Sequence, residues 1–347
     1  MRKIIFSMAV VLCAVAMVAC GGKNTLIKKG SKSKADSLSY AIGVDVGTGI
    51  AKNMPDMKFD WNTLTKSAEK ALYTEIKKGE EDKKQVEGTE ILQEFFNNTR
   101  RDRVTAYVET LNIPDSLLAT QPIDFTAYDV FESDAERKQI SEAYGYDLGC
   151  RLRDSRLPLQ LYWLNKGINE GAAGTSSIDA HGAMMLIQEY FSVTLPMKNM
   201  RESEAWLAKM EKKSGVKKTE SGLLYRIDRM GDESVKPTAN DRVKVDYEGK
   251  LKDGTIFDSS YERGQSIEFP LNGVIAGWTE GLQLIGKGGQ ITLWIPSELG
   301  YGAYGGGGLI GPNQALEFKV ELHDIKSTAT PESVPAAPEE KRTFEQH

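Results

Sequence analysis

Beyond Gly215 the spacing of apolar residues changes from a period near 3.6 to a period of 2, and no single layer of secondary structure satisfies both. Before that point, 36–215 is rich in Ala, Leu, Glu and Lys with few prolines, the composition of amphipathic helices. After it, Leu224-Tyr225-Arg226-Ile227 and Val243-Lys244-Val245-Asp246-Tyr247 alternate as half-buried strands do. Leu316, Phe318, Val320 and Leu322 share one face of a further strand, with Glu317, Lys319 and Glu321 on the other. Strands are also expected over 267–271 and 290–295, with a hairpin turn at Asp253-Gly254 before Phe257. Between them Trp278, Leu282 and Ile285 keep helical spacing. One short helix covers only one face of an antiparallel sheet, so the sheet must curve round it and leave a shallow apolar hollow. The expected fold is multidomain, an all-α region followed by an α+β domain.

The helical part repeats once. Ser39-Tyr40-Ala41-Ile42-Gly43-Val44-Asp45-Val46-Gly47 recurs as Ser141-Glu142-Ala143-Tyr144-Gly145-Tyr146-Asp147-Leu148-Gly149, and Phe59, Trp61 and Leu64 recur as Leu159, Leu161 and Leu164. Glycine within a helix costs about 1 kcal/mol against alanine. Gly43/Gly47 and Gly145/Gly149 fall on one helix face each, where they admit close approach of another helix, inside one chain or between two. Further helices are expected over 83–111, with Phe95 and Phe96 in the core, and over 180–193, ended or kinked by Pro196. A last helix over 201–213 should bury Trp206, Leu207 and Met210, with Gly215 at its C′ position.

The amino terminus reads as an address. Arg2 and Lys3 precede an apolar run over 4–19, too short for the ~20 residues that span a bilayer comfortably, and small residues lead to Cys20. Met17-Val18-Ala19-Cys20 resembles the lipobox of bacterial lipoproteins, in which the cysteine carries acyl chains that hold the protein on a membrane. The stretch 20–36 is polar and expected as a flexible tether, and the proline- and glutamate-rich tail 327–347 as disordered. The 347 residues carry 44 basic and 49 acidic side chains, a net charge of −5 that argues against nucleic acid as a partner. Three histidines are too scattered to ligate a metal, and three cysteines cannot build a disulfide framework. Once Cys13 leaves with the leader and Cys20 is acylated, Cys150 either pairs between chains or, as expected, stays buried as a small apolar side chain. No metal and no cofactor are implied.

Val245-Asp246-Tyr247-Glu248-Gly249, Gly254-Thr255-Ile256-Phe257-Asp258-Ser259-Ser260, Gly273-Val274-Ile275-Ala276-Gly277-Trp278, Tyr301-Gly302 and Leu316-Glu317-Phe318-Lys319-Val320-Glu321-Leu322 occur in that order. Together they resemble the FKBP-type peptidyl-prolyl cis–trans isomerases over 215–326. The preceding segment around Ala143-Tyr144-Gly145-Tyr146-Asp147-Leu148-Gly149 is similar to the dimerisation domain of the macrophage infectivity potentiator group. The resemblance implies a curved sheet wrapped on one short helix. It implies a substrate hollow lined by Tyr247, Phe257, Ile267, Val274, Ile275, Trp278, Tyr301 and Phe318, with Trp278 as floor. Tyr247, Asp258 and Tyr301 would carry the reaction, Arg263 would flank Asp258, and Leu309 and Ile310 would sit on the rim. Three departures stand out. Ile267 replaces a common aromatic, Gly306 falls where a histidine often sits, and Gly311 replaces the first of a proline pair before Pro312. The four glycines from Gly305 to Gly308 should leave the rim mobile.

The expected organisation is a leader (1–19), tether (20–36), first helical repeat (37–134), second repeat with a connecting helix (135–214), isomerase domain (215–326) and tail (327–347). The function implied is X–Pro isomerisation in unfolded envelope proteins, by a lipid-anchored folding helper on the outer membrane of a bacterium. Implied partners are proline-containing unfolded polypeptides, a second copy through the helical region, and tacrolimus- or rapamycin-type macrolides. The competing class is a holdase whose helical arm binds clients. A role in surface contact has no sequence feature in its favour.

Overall fold

The computed structural model describes residues 27–34, 36–76, 80–114, 117 and 122–327. The expected leader, Cys20 and the tail beyond Ser327 lie outside the described residues. The chain forms two compact units that divide between Thr194 and Leu195.

The first unit is helical: α1 (Ser37–Asn53), α2 (Trp61–Leu72), α3 (Lys83–Glu94), α4 (Arg100–Thr110), α5 (Asp134–Asp154), α6 (Leu161–Ala173) and α7 (Ala180–Glu189). Asp36, Asp60, Asp82, Ser133 and Asp179 cap five of these helices, each accepting from a backbone N–H three residues on. Such caps satisfy donors that the first helical turn leaves free. The expected helix over 83–111 is continuous but contains a π-helical turn at Phe95–Thr99, with Phe95 buried in the core. A second π-helical turn, Tyr190–Thr194, precedes Pro196. Pro196 is the second residue of the next helix, Leu195–Glu211, a first-turn position that tolerates proline because an N–H there would have no intrahelical partner.

Both glycine pairs are used inside the chain. A Cβ on Gly43 would lie 2.2 Å from the Leu164 carbonyl oxygen, and one on Gly145 would lie 2.1 Å from that of Leu64. Backbone thus meets backbone where α1 crosses α6 and where α5 crosses α2. Tyr144, Phe59, Phe95 and Phe131 fill the core beside these crossings. Cys150 is a buried free thiol, as expected, and burial pushes it up to about 12.

Within the stretch expected as a tether, residues 27–34 are docked on the helical unit. Ile27 is buried, and the Lys28 and Lys29 carbonyls accept from the N–H groups of Leu161 and Tyr162 at 2.9 and 3.1 Å. The start of α6 has no side-chain cap. The polar stretch docks because it satisfies these helix-terminal donors, and Trp163 adds hydrogen bonds from its indole to the Ser31 and Lys34 carbonyls.

The second unit opens with α8 (Leu195–Glu211), followed by β1 (Lys217–Lys218), β2 (Leu224–Arg229), β3 (Arg242–Leu251), β4 (Ile256–Ser259), α9 (Ser260–Arg263), β5 (Ile267–Pro270), α10 (Ala276–Leu282), β6 (Gln290–Ile295) and β7 (Leu316–Lys326). The sheet is antiparallel in the order β1-β2-β6-β7-β3-β4, with β5 also on β3. Along β3 and β7, Val243, Val245, Tyr247, Leu316, Phe318, Val320 and Leu322 are buried in the period of 2. β6 is buried on both faces: Ile291, Leu293 and Ile295 join the core containing α10, while Trp294 packs with Leu224, Met210, Trp206 and Leu207. α8 therefore groups with the sheet, ahead of the boundary expected at 215, because its apolar face covers the sheet's outer side. Gly215 has a left-handed φ of 77° but lies in the turn after α8 rather than at its C′ position.

A methyl group has no room at the helix crossings. Gly145→Ala should lower the stability of the helical unit by about 1–3 kcal/mol, read as a lower urea midpoint in helical circular dichroism. An unchanged midpoint would show that the crossing is slack.

Candidate active site

The site begins with one strand using both faces. Alternation along β3 turns Tyr247 inward and Asp246 outward. Tyr247 stands edge-on to Trp278 of α10, with ring centroids 5.1 Å apart and planes at 84°. Phe318 of β7 meets the same indole edge-on at 5.1 Å and 86°. Edge-to-face packing of this kind is favoured by the ring quadrupoles. Phe257 of β4 packs on Phe318 at 5.4 Å, which is possible because Gly249, opposite Phe318 in the β3–β7 register, has no side chain. A Cβ there would be 2.7 Å from Phe257 and 2.8 Å from Phe318.

Ile267, Val274 and Ile275 are half-buried against this cluster, and Ile310 is buried within it. Trp278 is only 5% exposed, and its Nε1–H has no hydrogen-bond acceptor among the described residues. Packing alone therefore fixes the indole.

At the outer edge of the rings lies a polar triangle. The Tyr247 hydroxyl donates to Asp258 Oδ2, and Arg263 Nη1 donates to Asp258 Oδ1. Arg263 Nη2 closes the triangle, donating to the Tyr247 hydroxyl at 2.9 Å. Burial, and then the Asp258 carboxylate beside it, push the Tyr247 phenol up to about 12 against an opposing pull from Arg263. Burial and then the Asp258 charge also raise the Tyr301 phenol, although the residue remains 39% exposed. The Asp258 and Arg263 side chains are 41% and 46% exposed, so water weakens their ion pair and its role is orientation more than stability.

The rim is a hydrogen-bonded turn. Gly306 N–H donates to the Ile310 carbonyl at 3.0 Å and Ile310 N–H to the Gly307 carbonyl at 3.1 Å. Gly305, Gly307 and Gly308 hold left-handed φ of 73°, 76° and 55°, which glycine adopts without a steric penalty. Leu309 is half-buried but lies outside the apolar cluster that takes in Ile310.

Two features were not expected from sequence. Phe269, two residues beyond Ile267 on β5, packs on Trp278 at 5.5 Å and supplies an aromatic ring where Ile267 does not. The i, i+2 spacing on a strand was the signal for it. The second feature is a network behind Tyr247. Ser260 Oγ accepts from Tyr247 N–H at 2.9 Å and donates to Asp246 Oδ1 at 2.7 Å. Asp246 Oδ2 also lies 2.9 Å from Ser266 Oγ and 2.7 Å from His323 Nε2. This network pins α9, and with it Arg263, against β3.

The family model described as FKBP-type peptidyl-prolyl cis-trans isomerase matches residues 233–323, and that for the domain amino-terminal to it matches 137–227. The FKBP-type peptidyl-prolyl cis-trans isomerase FkpA of Aeromonas hydrophila is 38% identical over 216 residues, covering 56% of this chain and 80% of that protein. The chain belongs to the FKBP-type peptidyl-prolyl cis–trans isomerases. The outer membrane protein MIP of Legionella longbeachae is 32% identical over 237 residues, covering 65% of this chain and 98% of that protein. A probable FkpA of Neisseria meningitidis is 49% identical over 138 residues, but the chain spans only 49% of its length. The crystal structure of FkpA from Escherichia coli is 34% identical, covering 56% of this chain and 98% of that one with a TM-score of 0.43. The match of the amino-terminal family model includes the second helical repeat and leaves out the first.

The network behind Tyr247 makes a pH prediction. Burial would raise Asp246, but hydrogen bonds from Ser260, His323 and Ser266 prevail and hold it below 3.8. A depressed carboxylate contributes stability that is present above the unfolded value and lost as pH falls through the folded one. Asp246→Asn should therefore lower the melting temperature near neutrality, and the gap to wild type should close at acid pH. A gap independent of pH would contradict this.

Proposed function

We propose that this aromatic cluster rotates X–Pro bonds in unfolded polypeptides of the cell envelope. A peptide bond resists rotation by ~18–20 kcal/mol because planarity carries resonance. X–Pro bonds exchange unaided in tens to hundreds of seconds, slowly enough to limit folding. The planar amide is charge-separated, whereas the twisted transition state has lost much of that separation. A water-poor surface of rings therefore disfavours the ground state more than the transition state, which is differential binding. The observation that carries this reading is Tyr247. Its ring belongs to the apolar shell around Trp278, and its hydroxyl is tied to Asp258 and Arg263. One residue thus joins the proline-facing surface to the polar edge.

In this reading Trp278 underlies the proline ring, flanked by Phe257, Ile267, Val274, Ile275 and Phe318. The Tyr301 hydroxyl holds a substrate carbonyl, Asp258 and Arg263 border the site, and Leu309 and Ile310 form the rim. Macrolides of the tacrolimus or rapamycin type compete for the same surface. Cys20 carries lipid and places the protein at the outer membrane.

A chymotrypsin-coupled peptide assay tests the activity. The wild type should accelerate isomerisation, and Asp258→Ala and Tyr301→Ala should each lower kcat/KM about tenfold, ~1.4 kcal/mol of transition-state stabilisation. A wild-type rate no faster than buffer would refute the proposal. Neither Tyr247 nor Tyr301 ionises near neutrality, since both are raised above 10.0. The rate should accordingly stay flat across neutral pH, and a bell-shaped profile would point to acid–base chemistry instead.

A second reading, client holding by the helical unit, draws support from Met184 and Met185 of α7, which are 52% and 50% exposed. Methionine surfaces adapt to varied partners. If this reading holds, Tyr301→Ala should still suppress client aggregation at wild-type strength, whereas holding by the isomerase site alone would lose it.

A further inference from the structure

The two helical repeats do not fold side by side. The first helix of each repeat, α1 or α5, packs on the second helix of the other, α6 or α2. The contacts correspond position by position. Gly43 faces the carbonyl of Leu164, and its counterpart Gly145 faces that of Leu64, with a Cβ at 2.2 and 2.1 Å. Gly47 faces the carbonyl of Ile168 and Gly149 that of Ala68, at 2.1 and 2.3 Å. Ser39 Oγ accepts from Gln160 N–H at 2.8 Å, and Ser141 Oγ accepts from Asp60 N–H at 3.0 Å.

The third helices obey the same rule. Leu92-Gln93-Glu94-Phe95-Phe96 in repeat one matches Ile187-Gln188-Glu189-Tyr190-Phe191 in repeat two, and in both the aromatic pair opens a π-helical turn. α3 of repeat one packs on α5, where the site of a Gly88 Cβ is 3.8 Å from Ala143. α7 of repeat two packs on α1, where Ala183 clusters with Ala41. Ala41 and Ala143 are themselves counterparts in the repeat. Four residue contacts are exchanged, and each obeys the reciprocal rule that residue i meets j and j meets i. That rule is the mark of a two-fold interface between copies of one chain.

We infer that the helical unit is a helix-exchanged pair closed within a single polypeptide. The partner that the glycine faces accept is the chain's own other repeat, and no second copy is required. Neither repeat completes the packing of its first helix with its own second and third helices. The interface that a chain with one repeat could complete only by pairing with another chain is satisfied here in cis. The two halves have also diverged. Gly167 of α6 faces the Tyr40 carbonyl, whereas Ser67 at the equivalent place in α2 donates to the Glu142 carbonyl at 2.7 Å. The two crossings are therefore no longer interchangeable. Repeat two is followed by the isomerase domain and repeat one by α4 and the return to α5, so each closed unit carries one isomerase domain. The expected homodimer through this region gives way to a monomer.

Sedimentation equilibrium of the full purified protein over a wide concentration range should give the mass of one chain throughout, and a two-chain species that dissociates on dilution would overturn the inference. A second experiment examines the exchange directly. Lys84 of α3 and Glu142 of α5 form an exposed ion pair at 2.6 Å that a zero-length carbodiimide can couple. Chains with light and heavy nitrogen are unfolded and refolded together before coupling. Linked Lys84–Glu142 peptides should be wholly light or wholly heavy, and mixed pairs would overturn closure in cis. If coupling yields no linked peptide, the sedimentation result decides.

Discussion

The edge-on packing of Tyr247 and Phe318 against the Trp278 indole is the contact from which the rest of the C-terminal unit follows. It requires β3 and β7 to be neighbours in a register that sets Gly249 opposite Phe318. It also requires α10 to lie where both rings can reach the indole. An antiparallel sheet with one helix on its inner face meets these demands, and α8 covers the outer face through Met210 and Trp206. Because Tyr247 is amphipathic, filling the core with its ring also presents its hydroxyl to Asp258. The stability of the unit and its proposed chemistry depend on the same side chain.

The helical unit coheres by a different means. At Gly43, Gly47, Gly145 and Gly149 backbone meets backbone, and dispersion between closely apposed helices replaces side-chain interlocking there. Each glycine is unfavourable for an isolated helix, so these helices depend on the crossing they form. Closed within one polypeptide, the unit does not rely on protein concentration to stay folded. It also carries one isomerase domain where a pair of chains would carry two, so clients gain no avidity from it.

Much of this was legible in the sequence. Strict alternation marked β3 and β7 because one face of each is buried and a slip of one residue would expose it. Asp253-Gly254 marked the hairpin, and Gly254 does take a left-handed φ of 85°. Of the residues expected at the hollow, Tyr247, Phe257, Asp258, Arg263, Trp278 and Phe318 are linked by ring contacts or hydrogen bonds, and Ile267, Val274, Ile275 and Ile310 by the apolar cluster. Other features depend on partners remote in sequence. The i, i+4 glycines announced a close crossing but could not say with which helix. The docking of 27–34 rests on free N–H groups at α6, which composition does not reveal. The Ser260–Asp246–His323 network spans β3, α9 and β7, and each of its members alone reads as an ordinary polar residue. The second half of the repeat was obscured because only a short aromatic signature survives in α3 and α7.

The central claim is that rotation of the imide is driven by removing it from water among aromatic rings, with no proton in flight. The most direct test is the solvent isotope effect on kcat/KM for an X–Pro peptide, measured in light and heavy water with matched viscosity. The account predicts a ratio near unity. A markedly slower reaction in heavy water would mean that a proton moves in the rate-limiting step, which is incompatible with catalysis by desolvation alone.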